Sequence, residues 1–219
     1  MLPPGPLPAR TILDPVPQVY TVHKGAPMNI PRCCLALLLA LLTVPASAQQ
    51  RVNLIRNGGF EQFKGDEPVG WETTNIPGVC VVVSSTPRKA AGSSAVELTV
   101  KNCFGSHFPG MITQGNIKIA GPTMRLTFSY ELTRVGQDVG YIGMDFRNAE
   151  GSTIRMCEER LLNEATTYTT FSATFPVPAD AATAELKLAL LATGKDETLH
   201  VGTKLLVDEM TLVTVSENR

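Results

Sequence analysis

The sequence lacks clusters of positive charge. Its 219 residues carry 19 Lys and Arg against 20 Asp and Glu, a formal net charge of −1, and the cations are spread along the chain. Proteins bind nucleic acids and anionic membranes through grouped Lys and Arg side chains, so neither partner is expected. After residue 44, no apolar run approaches the roughly 18 residues that a membrane-spanning helix needs.

Motifs for catalysis are also missing. Of the three histidines, His23 precedes an apolar leader, and His107 and His200 stand alone. No His-x-x-His, His-Glu-x-x-His, paired-Cys or Gly-x-Ser-x-Gly spacing occurs. The adjacent acids at 158–159 and 208–209 would point to opposite faces of a strand, so neither pair can flank one glycosidic bond. We therefore expect no independent enzymatic activity.

Residues 28–48 have the features of a secretory signal peptide. Arg32 precedes an apolar run at 35–44, which is too short to span a bilayer, and Ala-Ser-Ala at 46–48 is a cleavage motif. Removal of the leader leaves a single domain, 49–219, with 16 basic and 19 acidic residues and a net charge near −3. The expected location is secreted or periplasmic.

Three cysteines remain in that domain: Cys80, Cys103 and Cys157. The segments VCVVV (79–83) and AVELTVKNC (95–103) indicate two antiparallel strands around a turn, which would place Cys80 opposite or close to Cys103. Export permits a disulfide, so we expect that bridge, with Cys157 left free. In the alternative interpretation all three cysteines are reduced and serve as apolar fillers.

Alternation with a period of two dominates residues 49–219, and no segment of ten or more residues shows a helical stripe. In RLTFSYEL (125–132), for example, the apolar side chains Leu126, Phe128 and Tyr130 share one face. Similar runs follow at 141–148, 185–191 and 204–215, the last interrupted by its acidic pair, with turn residues between them. Such short strands predict an all-β antiparallel sandwich with jelly-roll topology.

Several motifs occur in a familiar order. They are NLIRNGGFE (53–61), PVGW (68–71), AAGSSAVELTV (90–100), ITQGNIKIAGPTMRLTFSYEL (112–132), MDFRNAEGSTI (144–154), YTTFSATFPVPADAATAELKLAL (168–190) and LLVDEMTL (205–212). In this order and spacing the chain resembles the CenC-type carbohydrate-binding modules, families 4 and 9 and their relatives, over residues 52–213. The resemblance implies a galactose-binding-like jelly roll that binds a polysaccharide or oligosaccharide, with Trp71 packed in the core.

The resemblance also implies a structural calcium ion between the first and last strands. Glu61 of GGFE and Asp208 of LLVDEM match the carboxylate ligands, and backbone carbonyls near Gly92 and Ser93 would supply others. Calcium prefers six to eight hard oxygen ligands of this mixed kind. In the alternative interpretation, Glu61 caps a turn and Asp208 faces solvent.

A sugar site needs an aromatic face and a few polar groups for the hydroxyls, but aromatic residues make up only 6% of this chain. Tyr130 lies on an apolar face and is expected in the core. Tyr141 is the better candidate, because it alternates onto the polar face of its strand. The candidate sugar-binding residues are Tyr141, Asp145, Arg147, Glu131 and Lys187, with Gln114, Arg134 and Gln137 at the rim. The alternative is an ordinary solvated face with cross-strand charge pairs, which would leave a structural or protein-interaction domain.

The leader predicts the amino terminus of the exported protein. Because residues 1–27 are rich in proline and lack apolar periodicity, we expect translation to start at Met28 and cleavage to follow Ala48. Edman sequencing of protein recovered outside the cytoplasm should begin at Gln49. A ribosome-start map showing initiation at Met1 would contradict the proposed start.

Overall fold

A computed structural model describes residues 52–74, 81–101, 110–192 and 199–215. Contacts within the chain divide it into two units, Met1–Ala48 and Gln49–Arg219, and every described residue belongs to the second. Among the described residues, no helix is long and apolar enough to cross a membrane.

The described residues form twelve β-strands. Their bounds are β1 Phe63–Lys64, β2 Glu67–Pro68, β3 Glu72–Thr73, β4 Val81–Thr86, β5 Ala95–Val100, β6 Met111–Lys118, β7 Thr123–Thr133, β8 Val139–Arg147, β9 Thr153–Leu161, β10 Ala165–Pro176, β11 Thr183–Leu191 and β12 Lys204–Thr214. Apart from the small β1–β2 ribbon, they build two antiparallel five-stranded sheets. The first sheet has the order β10-β7-β12-β5-β4, and the second has the order β3-β6-β11-β8-β9.

The apolar side chains of both sheets meet in one core. On β7, the alternating residues Leu126, Phe128 and Leu132 are buried, and on β8 the same is true of Ile142, Met144 and Phe146. Strands with one buried and one outward face have this period of two. The predicted all-β antiparallel sandwich is therefore confirmed, and its two outward faces carry the polar side chains.

The strands flanking the cysteine pair also match the prediction in part. Strands β4 and β5 pair antiparallel, with Val81 opposite Val100. Cys80 and Cys103 lie outside the described residues, so their bridge stays a prediction. Cys157, on β9, is half-buried and forms no disulfide within the described part of the chain.

The Asn-Gly-Gly-Phe motif forms a tight turn against the last strand. Asn57 and Phe60 adopt positive φ angles of 49°, and the amide of Met210 donates to the carbonyl of Gly58 at 2.8 Å. Phe60 is fully buried, and its ring centroid lies 5.3 Å from that of Trp71. Trp71 and Tyr130 both lie in the core, as expected.

The two glycines of this turn are predicted to tolerate alanine very differently. A Cβ on Gly58 would lie 2.1 Å from the carbonyl oxygen of Met210, whereas a Cβ on Gly59 would meet nothing closer than 3.6 Å. Gly58→Ala should therefore lower the free energy of unfolding by about 1–3 kcal/mol. Gly59→Ala should change it by no more than about 0.5 kcal/mol.

Urea denaturation followed by circular dichroism measures both values. Equal losses in the two variants would contradict the close approach of the first turn to β12.

Candidate functional site

The outward face of the second sheet gathers four of the five predicted sugar-site residues. Tyr141, Asp145 and Arg147 alternate with the buried residues of β8, so they point away from the core. Strand β11 pairs with β8 in the register Lys187 opposite Gly143 and Glu185 opposite Asp145. Lys187 therefore lies on the same outward face. We call this set, together with Glu185, the β8–β11 face.

The charges of the β8–β11 face pair across the two strands. Lys187 Nζ lies 2.5 Å from Asp145 Oδ2 and 3.7 Å from Glu185 Oε1, so one ammonium group bridges two carboxylates that face each other. The guanidinium of Arg147 lies 2.5 Å from Glu185 Oε2. Asp145 is almost fully buried, and a buried carboxylate needs such a partner. The charges are thus fixed in position without a ligand.

Tyr141 leans along this face over Gly143 toward β9. A Cβ on Gly143 would come within 2.8 Å of the Tyr141 hydroxyl and within 3.1 Å of Cζ, so the ring rests over a residue without a side chain. Its hydroxyl donates to Glu158 on β9 at 3.2 Å. Partial burial, followed by the charge of Glu158, raises the pKa of Tyr141 to about 12. The ring is therefore fixed in position against the backbone of Gly143, with its hydroxyl held by Glu158.

Glu131 does not belong to this face, and its assignment to the same groove was wrong. It lies on β7, which pairs with β10 and β12 in the first sheet. Alternation had correctly put Glu131 on a polar face, but the strand order puts that face on the other side of the sandwich.

A segment that we call the strap, residues 87–94, covers Glu131. Arg88 lies 2.6 Å from Glu131 Oε2 and donates to the carbonyl of Thr166 at 3.0 Å. The hydroxyl of Tyr168, on β10, donates to the carbonyl of Arg88 at 2.8 Å. Burial and then the charge of Asp208 raise the pKa of Tyr168. The strap thus crosses the outward face of the first sheet and reaches its edge strand.

The two predicted calcium ligands both contact the strap. Asp208 is fully buried, which excludes the solvent-facing alternative. Its Oδ2 accepts the amides of Ala90 and Ala91 at 2.9 and 3.0 Å, and its Oδ1 accepts the amide of Glu209 at 2.7 Å. Glu61 accepts the amide of Ser93 at 2.9 Å and also its hydroxyl. These bonds from Ser93 lower the pKa of Glu61.

The donor set fits calcium only in part. The carboxylates of Glu61 and Asp208 supply hard oxygen atoms beside the strap. Gly92, with a φ of 62°, lets the Glu61 carboxylate approach the backbone closely. However, no cluster of three or more His, Cys, Asp and Glu side chains occurs among the described residues. Backbone carbonyls and water would have to complete the six to eight ligands of calcium. The bonds to amides show that both carboxylates also fasten the strap.

Two of the expected rim residues have other roles. Gln114 is buried, and its amide group bonds the backbone N–H and C=O of Arg56 at 2.8 and 3.0 Å and the carbonyl of Gly70 at 3.1 Å. Arg134 donates to the carbonyls of Asp138 and Leu162. Both side chains hold loops, and neither extends the β8–β11 face.

His200 is not alone, contrary to the expectation from sequence. Its Nδ1 lies 2.9 Å from Oδ1 of the fully buried Asp138, whose Oδ2 accepts the hydroxyl of Thr203 and the amide of His200, each at 2.7 Å. The hydroxyl bonds the carboxylate rather than the imidazole, so the arrangement differs from a Ser-His-Asp triad. Asp138 and His200 are 62 residues apart in the sequence. No sequence pattern indicated the pair, because only the fold brings these two residues together.

Comparison with known proteins shows likeness in structure alone. No family model and no curated protein match this sequence. The enzymatically active domain of tailspike protein 4 from bacteriophage CBA120 is similar at a TM-score of 0.55 and 17% identity, over 75% of this chain and 22% of that one. An arabinose-bound MgGH51 α-L-arabinofuranosidase is similar at 0.52 and 13%, over 77% of this chain and 27% of that one. This chain therefore spans about a quarter of the length of each of those two chains.

A family 16 carbohydrate-binding module also matches, at a TM-score of 0.49 and 20% identity, over 74% of this chain and 100% of that one. At such identities the likeness concerns the fold. The fold is the jelly-roll sandwich that the family resemblance implied.

Tyr141 should ionise only well above the pH at which an ordinary tyrosine does, which is about 10. Because its pKa is raised to about 12 in the folded protein, its contribution to stability is complete below pH 10 and is lost as the pH rises toward 12. The measurement is tyrosinate absorbance as a function of pH. The difference between the unchanged protein and the Tyr141→Phe variant reports the ionisation of Tyr141 alone.

Glu158→Gln should lower the pKa of Tyr141, because it removes the nearest negative charge. Glu159→Gln is the matched control, since that side chain points to the other face of β9. An unchanged titration in Glu158→Gln would contradict the contact.

Proposed function

We propose that this protein is a non-catalytic carbohydrate-binding module that holds a polysaccharide or oligosaccharide on the β8–β11 face. The observation that carries the proposal is the outward Tyr141 ring, held over Gly143, on the same face as two ion pairs that join neighbouring strands. The resemblance of the sequence motifs to the CenC-type modules supports the same ligand class.

The chemistry of the face suits a sugar. The apolar side of a pyranose ring stacks on an aromatic face, while its hydroxyls need donors and acceptors in the same plane. Arg147 and Lys187 offer N–H donors and Glu185 offers acceptors, while the nearly buried Asp145 holds Lys187 in place. Because each charged group is already held by its neighbour, little side-chain entropy is lost when a ligand binds.

A protein-interaction domain without sugar binding is the second candidate. The observation that favours it is that the charges satisfy one another, as they would on an ordinary outer face. In that case the β8–β11 face would stabilise the sheet and contact no glycan.

We also propose a calcium ion held by Glu61 and Asp208 beside the strap. Bound there, a divalent cation would neutralise two carboxylates that lie against one loop. Export to the medium or periplasm, through the leader at 28–48, is part of the same proposal, because extracellular fluids supply both calcium and polysaccharides.

Sugar binding is tested by affinity electrophoresis and calorimetry against a panel of soluble glycans. Tyr141→Ala should weaken binding to the best ligand at least about tenfold, a loss of roughly 1.4 kcal/mol, because it removes the stacking surface. Tyr141→Phe keeps the ring and should retain most of the affinity. Tyr168→Ala makes the same change on the first sheet and is the matched control.

Two results separate the candidates. If no glycan binds at millimolar concentration, the protein-interaction function is favoured. If a glycan binds equally well to Tyr141→Ala, sugar binding stands but the proposed face is wrong.

Calcium is tested by thermal unfolding with and without chelator. A bound ion stabilises only the folded state, so EDTA should lower the Tm of the protein and leave that of Asp208→Asn unchanged. If EDTA has no effect on the protein itself, Glu61 and Asp208 act only through their hydrogen bonds to the strap.

A further inference from the structure

Strand β9 is a long, open edge of the second sheet. Among the described residues it pairs only with β8, and it spans nine residues, Thr153–Leu161. Two large apolar side chains of β9 are exposed, Met156 at 67% and Ile154 at 39%. A free edge of this length presents a row of unpaired backbone N–H and C=O groups to a further strand.

The charges of β9 are self-complementary. Arg155 and Glu159 are exposed, and neither has an ion-pair partner in the part of the chain that the structure describes. Cys157 is the midpoint of the strand; Arg155 lies two residues before it and Glu159 lies two residues after it. All three side chains point to the same face of the sheet, because they alternate with Met156 and Glu158.

Symmetry restricts how two copies of β9 can pair. A two-fold axis perpendicular to the sheet keeps each side chain on its own face of the sheet. Because directly opposite residues of an antiparallel pair point to the same face, the axis must lie midway between the two copies of a single residue. An axis at Arg155, Glu158 or Glu159 sets two like charges directly opposite each other. An axis at Met156 forms no charge pair.

Of these axes, the one at Cys157 aligns the whole strand and pairs the charges of Arg155 and Glu159. Arg155 then faces Glu159 of the second copy, twice by symmetry, and Ile154 faces the aliphatic stem of the second Arg160. Opposite charges facing each other across strands are stabilising, and like charges are destabilising. The other long edge, β10, carries no charged residue and specifies no such register.

We propose that the protein forms a homodimer by antiparallel pairing of two β9 strands about Cys157. The two second sheets then become one ten-stranded sheet. The β8–β11 faces of the two copies then lie on the same side of this joint sheet.

The dimer has a consequence that rests on the proposed function. Tyr141 is opposite Arg160, so the two rings are separated by three strand spacings and six residues, roughly 25 Å at about 4.8 Å per strand and 3.3 Å per residue. A longer polysaccharide can contact both faces, and linked sites raise the overall affinity.

Sedimentation equilibrium of the purified protein, without sugar, tests the dimer. The protein should be dimeric, and Arg155→Glu should raise the dimer dissociation constant at least about tenfold, because it opposes like charges at both pairs. Glu159→Arg should do the same. The double variant Arg155→Glu with Glu159→Arg should restore the dimer. Circular dichroism checks that the exposed substitutions leave the fold intact.

Oxidation gives an independent test of the register. With diamide as the oxidant, the two Cys157 thiols across the axis should lose two protons and two electrons and form one S–S bond, and diamide is reduced to the hydrazine. Peptide mapping should find the new S–S bond between two Cys157 residues, and Cys157→Ser should lose that cross-link. A monomeric protein, or single variants that dimerise as well as the unchanged protein, would overturn the proposal.

A double variant that stays monomeric would overturn the register. None of these results depends on a glycan, so the dimer and the sugar site can fail separately.

Discussion

The arrangement of the strap, the first turn and the first sheet depends on one constraint, the buried carboxylate of Asp208. A carboxylate removed from water must be matched by donors, and three backbone amides supply them, two from the strap and one from Glu209. Strand β12 lies at the centre of the first sheet. The strap is therefore anchored to the middle of the sheet, while Arg88 and Ser93 attach it to β7 and to the first turn.

The same anchor explains the irregularity in β12. The register with β7 shifts between Asp208 and Thr211, and Glu209 has a φ of 52°. A bulge adds one residue and turns the strand, which brings the amide of Met210 to the carbonyl of Gly58. The beginning and the end of the domain meet at this point.

The strap makes the two outward faces unequal. It covers the centre of the first sheet, where Glu131 and Leu206 are buried although they point outward. The β8–β11 face has no segment like the strap among the described residues, and its side chains are held by ion pairs with one another. The outward face of the second sheet is therefore left uncovered by the described segments as far as its edge strand β9.

Alternation along each strand was sufficient to predict the all-β sandwich, the polar side of β8 and the core position of Tyr130, because burial of one face dictates a period of two. The core position of Trp71 came from the family resemblance and not from alternation. The interruption of the last strand was visible in its acidic pair. Which strands are neighbours could not be read from such local patterns. Only the tertiary structure placed Glu131 on the opposite face, turned Gln114 inward to bond the first loop, and joined Asp138 to His200, since each depends on strand order and on contacts between residues far apart in the chain.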